Sequence, residues 1–299
     1  MDYLAIIKKA YQITLKNKFL WIFGILAGGY GGIRSFNVGS PNYQTSSEDF
    51  NKAFPAFDWT SFWANYGGLI LTLLVILAIF AIIMFVLNVI SQGSLVGSVD
   101  KLSEGQKSNF KDGFRTGAHQ FWRILGMSII YLLMILASLI VLVGPIVISV
   151  INKLYIIAVI CGGLLFFVCL AFWILVGLIY PYSLRVIVLR TYGVWESIRD
   201  SLHFFRDHWK EVVVMYLLLL AIGLGFGIVL VLGVLIVGGI LLALGLGIWL
   251  ASPLMALIYG FLAGLTFFIA LVVISGGYNV FSSAVLTLTY NHLVKNSLY

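Results

Sequence analysis

The chain has 299 residues, 62% of them hydrophobic and only 10% charged, with a formal net charge of +7, whereas a soluble domain carries roughly 45–50% and about 25%. Together with a mean hydropathy of +1.08, that balance excludes a soluble globular domain and a disordered chain. The apolar runs lack the two-residue alternation of a barrel strand, so every backbone polar group in hydrocarbon has to be paired within helices.

The expected fold is therefore all-α, a polytopic integral membrane helical bundle of about six transmembrane helices in three hairpins, with amphipathic interfacial helices. One membrane domain covers residues 1–299, with hairpin units at 1–98, 99–190 and 191–299.

Residues 2–18 open as a basic amphipathic segment with Leu4, Ile7, Tyr11 and Leu15 on one face and Lys8, Lys9, Lys16 and Lys18 along its length. No small-residue cleavage site follows a clean apolar core, so a cleaved leader is not expected. Phe19 to Gly32 is shorter than the ~20 residues that span a bilayer. It crosses if the preceding helix lends its apolar end, and otherwise it is re-entrant.

Residues 33–66 read as an extracytoplasmic loop that returns to the membrane through Phe54, Phe57, Trp59, Phe62 and Trp63, an aromatic belt. Gly67 to Ile90 is a span. The next stretch, SQGSLVGSVDKLSEGQKS, reads as a polar loop. A second amphipathic copy, Phe110 to Trp122, sets Phe110, Phe114, Ala118 and Phe121 opposite Lys111, Arg115 and Gln120.

Ile124–Val150 and Ile156–Tyr180 form a hairpin of spans. They hold Cys161 and Cys169, which eight residues apart on one helix cannot bridge. Pro181 and the stretch Arg185 to Arg190 lead into the third copy, Trp195 to Lys210, whose Trp195, Ile198, Leu202, Phe205 and Trp209 repeat at helical spacing. From Val212 to Leu250 the chain is apolar for about 58 Å of helix, too long for one crossing of a ~30 Å core. Two short spans, one tilted span, or a span with a re-entrant Gly-rich piece would absorb it. Ser252-Pro253 breaks the run, Leu254–Ile274 spans again, and Val280–Tyr299 is a less apolar tail.

On this topology all but Arg34, Lys52 and Lys153 of the 18 cations fall on one side. The positive-inside rule then puts both termini in the cytoplasm of a bacterial inner membrane. No Asp, Glu, Lys, Arg or His falls in a predicted span, which speaks against a proton-coupled pump or a voltage sensor. His203 and His208 are five apart, not the four of a zinc helix, and no catalytic residue, metal site or cofactor is expected.

One constellation remains, an inner collar of Lys16, Lys18, Arg115, Trp122, Arg123, Trp195, Arg199, Arg206, Trp209 and Lys210. Such cations attract anionic headgroups, unless they only fix topology and pair locally, as Glu196 with Arg199 and Asp207 with Lys210.

Three stretches carry a family resemblance: Leu20-Trp21-Ile22-Phe23-Gly24, Phe121-Trp122-Arg123-Ile124-Leu125-Gly126, and Gly193-Val194-Trp195-Glu196-Ser197-Ile198 running to His208-Trp209. In these the chain resembles bacterial polytopic membrane proteins similar to the membrane domain of glycerophosphodiester phosphodiesterases. The resemblance implies a helical bundle without enzyme chemistry of its own, since the phosphodiesterase barrel has no counterpart. The function expected is a non-enzymatic scaffold or accessory domain, engaging membrane lipids, anionic ones included, and a protein partner or second copy, with no nucleic acid. The alternative is a transporter, channel or lipid-moving protein for an uncharged or amphipathic substrate.

Overall fold

A computed structural model of the protein describes residues 2–28 and 59–296. Among the described residues there are eight helices and no strand: α1 (Tyr3–Lys16), α2 (Phe19–Gly28), α3 (Trp59–Ser103), α4 (Phe110–Ile151), α5 (Tyr155–Arg190), α6 (Val194–Asp207), α7 (Trp209–Ala251) and α8 (Pro253–Asn296). The expected external loop lies outside the described residues up to position 58, and its last part is already the start of α3.

Five helices, α3, α4, α5, α7 and α8, are long and apolar enough to cross a membrane. The described part of α2 is ten residues, about 15 Å of helix and so half a bilayer. The protein is thus an all-α polytopic bundle with five full-length candidate spans and one short apolar helix.

Helix lengths depart from the sequence expectation in one direction, because segments expected to be separate are continuous. Ser91–Ser103, expected as a loop, is the last part of α3, and the turn falls at Glu104–Asn109. The expected second amphipathic helix and the following span are one helix, α4, which carries Pro145 inside it. The 212–250 run is neither two spans nor a span with a re-entrant piece but the single helix α7, and the expected tail is the second half of α8.

The physical reason is shared. Serine and glycine punctuate chains in water, yet inside a membrane bundle small residues let helices approach and hydroxyls bond their own carbonyls. Ser94 Oγ donates to Ile90 O at 2.8 Å, and Thr287 and Thr289 do the same to Ser283 and Val285. The break at Ser252 occurs as expected, with an extended backbone there and Pro253 as the first residue of α8, the position that needs no N–H partner.

Packing is concentrated at one end of the long helices, with a smaller contact between α4 and α5 around Ser138, Leu142, Cys169 and Trp173. The buried core is built from Val89–Val99 of α3, Ile124–Tyr131 of α4, Val176–Val188 of α5, Val212–Leu219 of α7 and Val280–Leu293 of α8, with α1, α2 and α6 around it. Beyond that end the apolar stretches, such as Leu69–Phe85, are exposed on nearly every side, as suits surfaces solvated by lipid.

One docking arrangement occurs three times at the packed end. Each basic segment buries small residues four apart. These are Ala10 and Thr14 of α1, Gly113 and Gly117 of α4, which lie against α3, and Ser197 and Ser201 of α6, the latter meeting Ser183 of α5. At Gly117 an added Cβ would run into Ile90 O and come within 2.9 Å of Ser94 N, so only glycine permits that approach.

Candidate functional site

The faces of the basic helices are turned from those the apolar periodicity suggested. In α1, Ile6, Ala10, Ile13 and Thr14 are buried, while Leu4, Tyr11 and Leu15 are exposed. In α4, Gly113, Gly117 and Gln120 are buried, with Phe110 and Phe114 exposed. In α6, Ser197, Ile198, Ser201 and Phe204 are buried, while Trp195 and Leu202 are exposed. Each basic helix thus turns some large apolar side chains outward, such as Leu4, Phe114 and Trp195, while α1 and α6 bury others, such as Ile13 and Phe204.

Each of the ten collar residues is exposed, Trp122 and Trp195 at 77% and 73%. Trp209 and Lys210 lie past a break at His208, as the first residues of α7, with the Lys210 ammonium 5.8 Å above the Trp209 ring. The expected pairs of Glu196 with Arg199 and Asp207 with Lys210 do not form. The Glu196 carboxylate instead accepts the Gly193 N–H at 3.2 Å, which caps α6. The ion pair among the described residues is Arg190 with Asp200, at 3.1 Å. Arg123 turns to the protein and donates to Thr191 O at 2.5 Å.

A second site lies where the ends of α3, α5 and α8 meet. Ala27, Gln92, Leu95, Tyr180, Pro181, Leu184, Arg185, Asn279, Ser282, Ser283 and Leu286 line a cavity of about 190 Å³. One wall is a chain of hydrogen bonds. Tyr180 Oη donates to Gln92 Oε1 at 3.2 Å, Gln92 Nε2 to Asn88 Oδ1 at 2.8 Å, and Asn88 Nδ2 to Leu26 O and Ala27 O at 2.8 and 2.9 Å. Asn88 thereby serves two carbonyls in the last described turn of α2.

Arg185, expected just past the end of a span, is buried. It belongs to the continuous helix α5, inside a candidate span, and is only 2% exposed. Its guanidinium donates to Pro181 O, to Ser283 O at 3.1 Å and toward Ser283 Oγ at 3.4 Å, while Nε has no partner. Among the described residues it makes no ion pair. Sequence reading ended the span at Tyr180 and so counted Arg185 as a cytoplasmic charge. The sign to follow was its setting, a single cation in the apolar stretch Leu184 to Leu189.

No group of three His, Cys, Asp or Glu among the described residues is placed to hold a metal ion. What this arrangement defines is a multi-pass helical membrane protein, with an exposed aromatic and cationic rim at its packed end and a polar cavity between three helices. The chain belongs to a family of unknown function, DUF7544, which it matches over residues 18–293. No curated protein and no solved structure matches it, and the family adds nothing to the resemblance with phosphodiesterase membrane domains.

Proposed function

We propose that the protein is a non-enzymatic scaffold or accessory protein of the bacterial inner membrane. Its packed end and both termini lie at the cytoplasmic face, where the collar gathers anionic lipid around a partner's docking site. The observation that carries this reading is the outward set of Trp122, Trp195 and Trp209 beside Arg115, Arg199, Arg206 and Lys210, none of them in an ion pair among the described residues. Aromatic rings at the boundary and cations just outside it suit an anionic leaflet, each cation contributing about 1 kcal/mol near the surface. The exposed Leu4, Tyr11, Phe114, Trp195 and Leu202 of the three basic helices fit the same plane.

The test is the variant Arg199→Gln/Arg206→Gln/Lys210→Gln in vesicles containing spin-labelled phosphatidylglycerol or phosphatidylcholine. The wild type should hold an excess of the anionic lipid at its boundary and the variant should lose that excess. Equal preference in both proteins would remove the collar's role. The polar cavity favours the second reading, a carrier for an amphipathic substrate, which flux across liposomes would reveal.

A further inference from the structure

We propose that the cavity at the meeting of α3, α5 and α8 binds one phosphate-type oxyanion against Arg185, carried by an anionic lipid headgroup or free in solution. This inference is independent of the collar and stands whether or not the collar binds lipid.

A guanidinium removed from water is tolerated when an opposite charge and hydrogen-bond partners replace the solvent. Arg185 has partners for its terminal nitrogens in the carbonyls of Pro181 and Ser283, but these are dipoles, and they leave Nε bare and the positive charge unneutralised. Among the described residues no carboxylate forms an ion pair with it.

The cavity beside Arg185 has room for an ion. Its volume of about 190 Å³ is more than ten times the ~10–15 Å³ that admits one water. Its remaining polar lining is neutral, the hydroxyls of Tyr180, Ser282 and Ser283 and the amides of Gln92 and Asn279. The serine hydroxyls and the amides can donate to the oxygens of a tetrahedral anion without adding charge, the Tyr180 proton being held by Gln92, and a guanidinium suits phosphate.

The surroundings fit a headgroup with chains attached. Tyr180, Asn279, Ser282 and Ser283 are half-buried, so the cavity is not sealed. It lies at the level where the packed end gives way to the exposed apolar stretches of α3, α5 and α8, so acyl chains can lie along those stretches.

The experiment uses the full chain in mild detergent. Native mass spectrometry and thermal unfolding are read against three probes, dioctanoyl phosphatidylglycerol, dioctanoylglycerol and inorganic phosphate. The expected result is one saturable phosphatidylglycerol per chain, a matching rise in Tm, and no effect of dioctanoylglycerol. Arg185→Gln should weaken binding at least tenfold and Arg185→Lys less, while the collar triple variant should bind as the wild type does. Stabilisation by inorganic phosphate at similar concentration would identify a free-phosphate site, and stabilisation by the lipid alone a headgroup site. If Arg185→Gln does not fold, Ser282→Leu fills the cavity from α8 with the arginine intact and should also lose at least tenfold. The proposal is overturned if neither probe binds saturably, or if binding survives whichever of these substitutions folds.

Discussion

The hydroxyl oxygens of Ser183 and Ser201 stand 2.5 Å apart, joining α5 to α6, and Tyr131 of α4 reaches Ser183 at 2.8 Å. All three side chains are buried, so three elements share one small polar knot. Burying hydroxyls is tolerable because each has a partner, and the serines are small enough for the two helices to touch. Ser201→Ala should cost about 0.5–1.5 kcal/mol, the net worth of one such bond. Ser201→Leu should cost about 1–3 kcal/mol or more through overpacking. Thermal unfolding in detergent ranks the two, and a leucine variant as stable as the alanine one would show that α6 is not closely docked.

Glycines of the chain divide by what surrounds them. Gly117→Ala puts a Cβ against the α3 backbone at Ile90 and Ser94, whereas a Cβ at Gly225 meets nothing within 4 Å. Gly117→Ala should therefore destabilise by about 1–3 kcal/mol. Gly225→Ala should be neutral or stabilising by up to about 1 kcal/mol, since alanine loses less freedom in a helix. Chemical unfolding of the two variants side by side checks the contrast.

The short helix α2 depends on donors from elsewhere in the chain. Asn88 serves two of its last carbonyls, and Asn279 lies so close to Gly28 that an added Cβ there would collide with its amide. Asn88→Leu removes that donor and should cost about 1–3 kcal/mol. Hydrogen exchange in residues 19–28 should rise with it. Unchanged exchange would mean that packing of Leu20 and Phe23 alone holds α2.

Thr191 ends α5 with a left-handed backbone, φ 55°, an unfavourable place for a β-branched residue. Asparagine adopts that conformation readily. Thr191→Asn should stabilise the protein by about 1 kcal/mol, because the Arg123 contact is to the backbone oxygen and survives the change. A drop in Tm would show that the threonine side chain has a role of its own.

Fold class, the crowded apolar runs, the break at Ser252-Pro253 and the three basic amphipathic segments are all legible from hydropathy and spacing. Two things are not. Ser91, Gly93, Ser94, Gly97 and Ser98 look like a loop because small polar residues break helices in water, although Gly93 and Gly97 already show the four-residue spacing of a close helix contact. Apolar periodicity also marks a face without saying what it faces. Leu4, Tyr11 and Leu15 form a good stripe, yet it is Ala10 and Thr14 beside it that pack inward. Arg185 escaped for a related reason, since a charge at the end of an apolar run reads as the edge of a span until the helix is seen to continue past it.

The proposed role places the outward aromatic and cationic rim in the headgroup layer. The direct measurement is nitroxide depth in liposomes, with labels placed singly at positions 122, 195 and 209 in a Cys161→Ser/Cys169→Ser background and a control label at Gly105 in the turn after α3. The prediction is that all three rim labels sit at the boundary of headgroups and acyl chains, protected from a water-soluble relaxing agent that reaches the control. Rim labels as accessible to that agent as position 105 would contradict it.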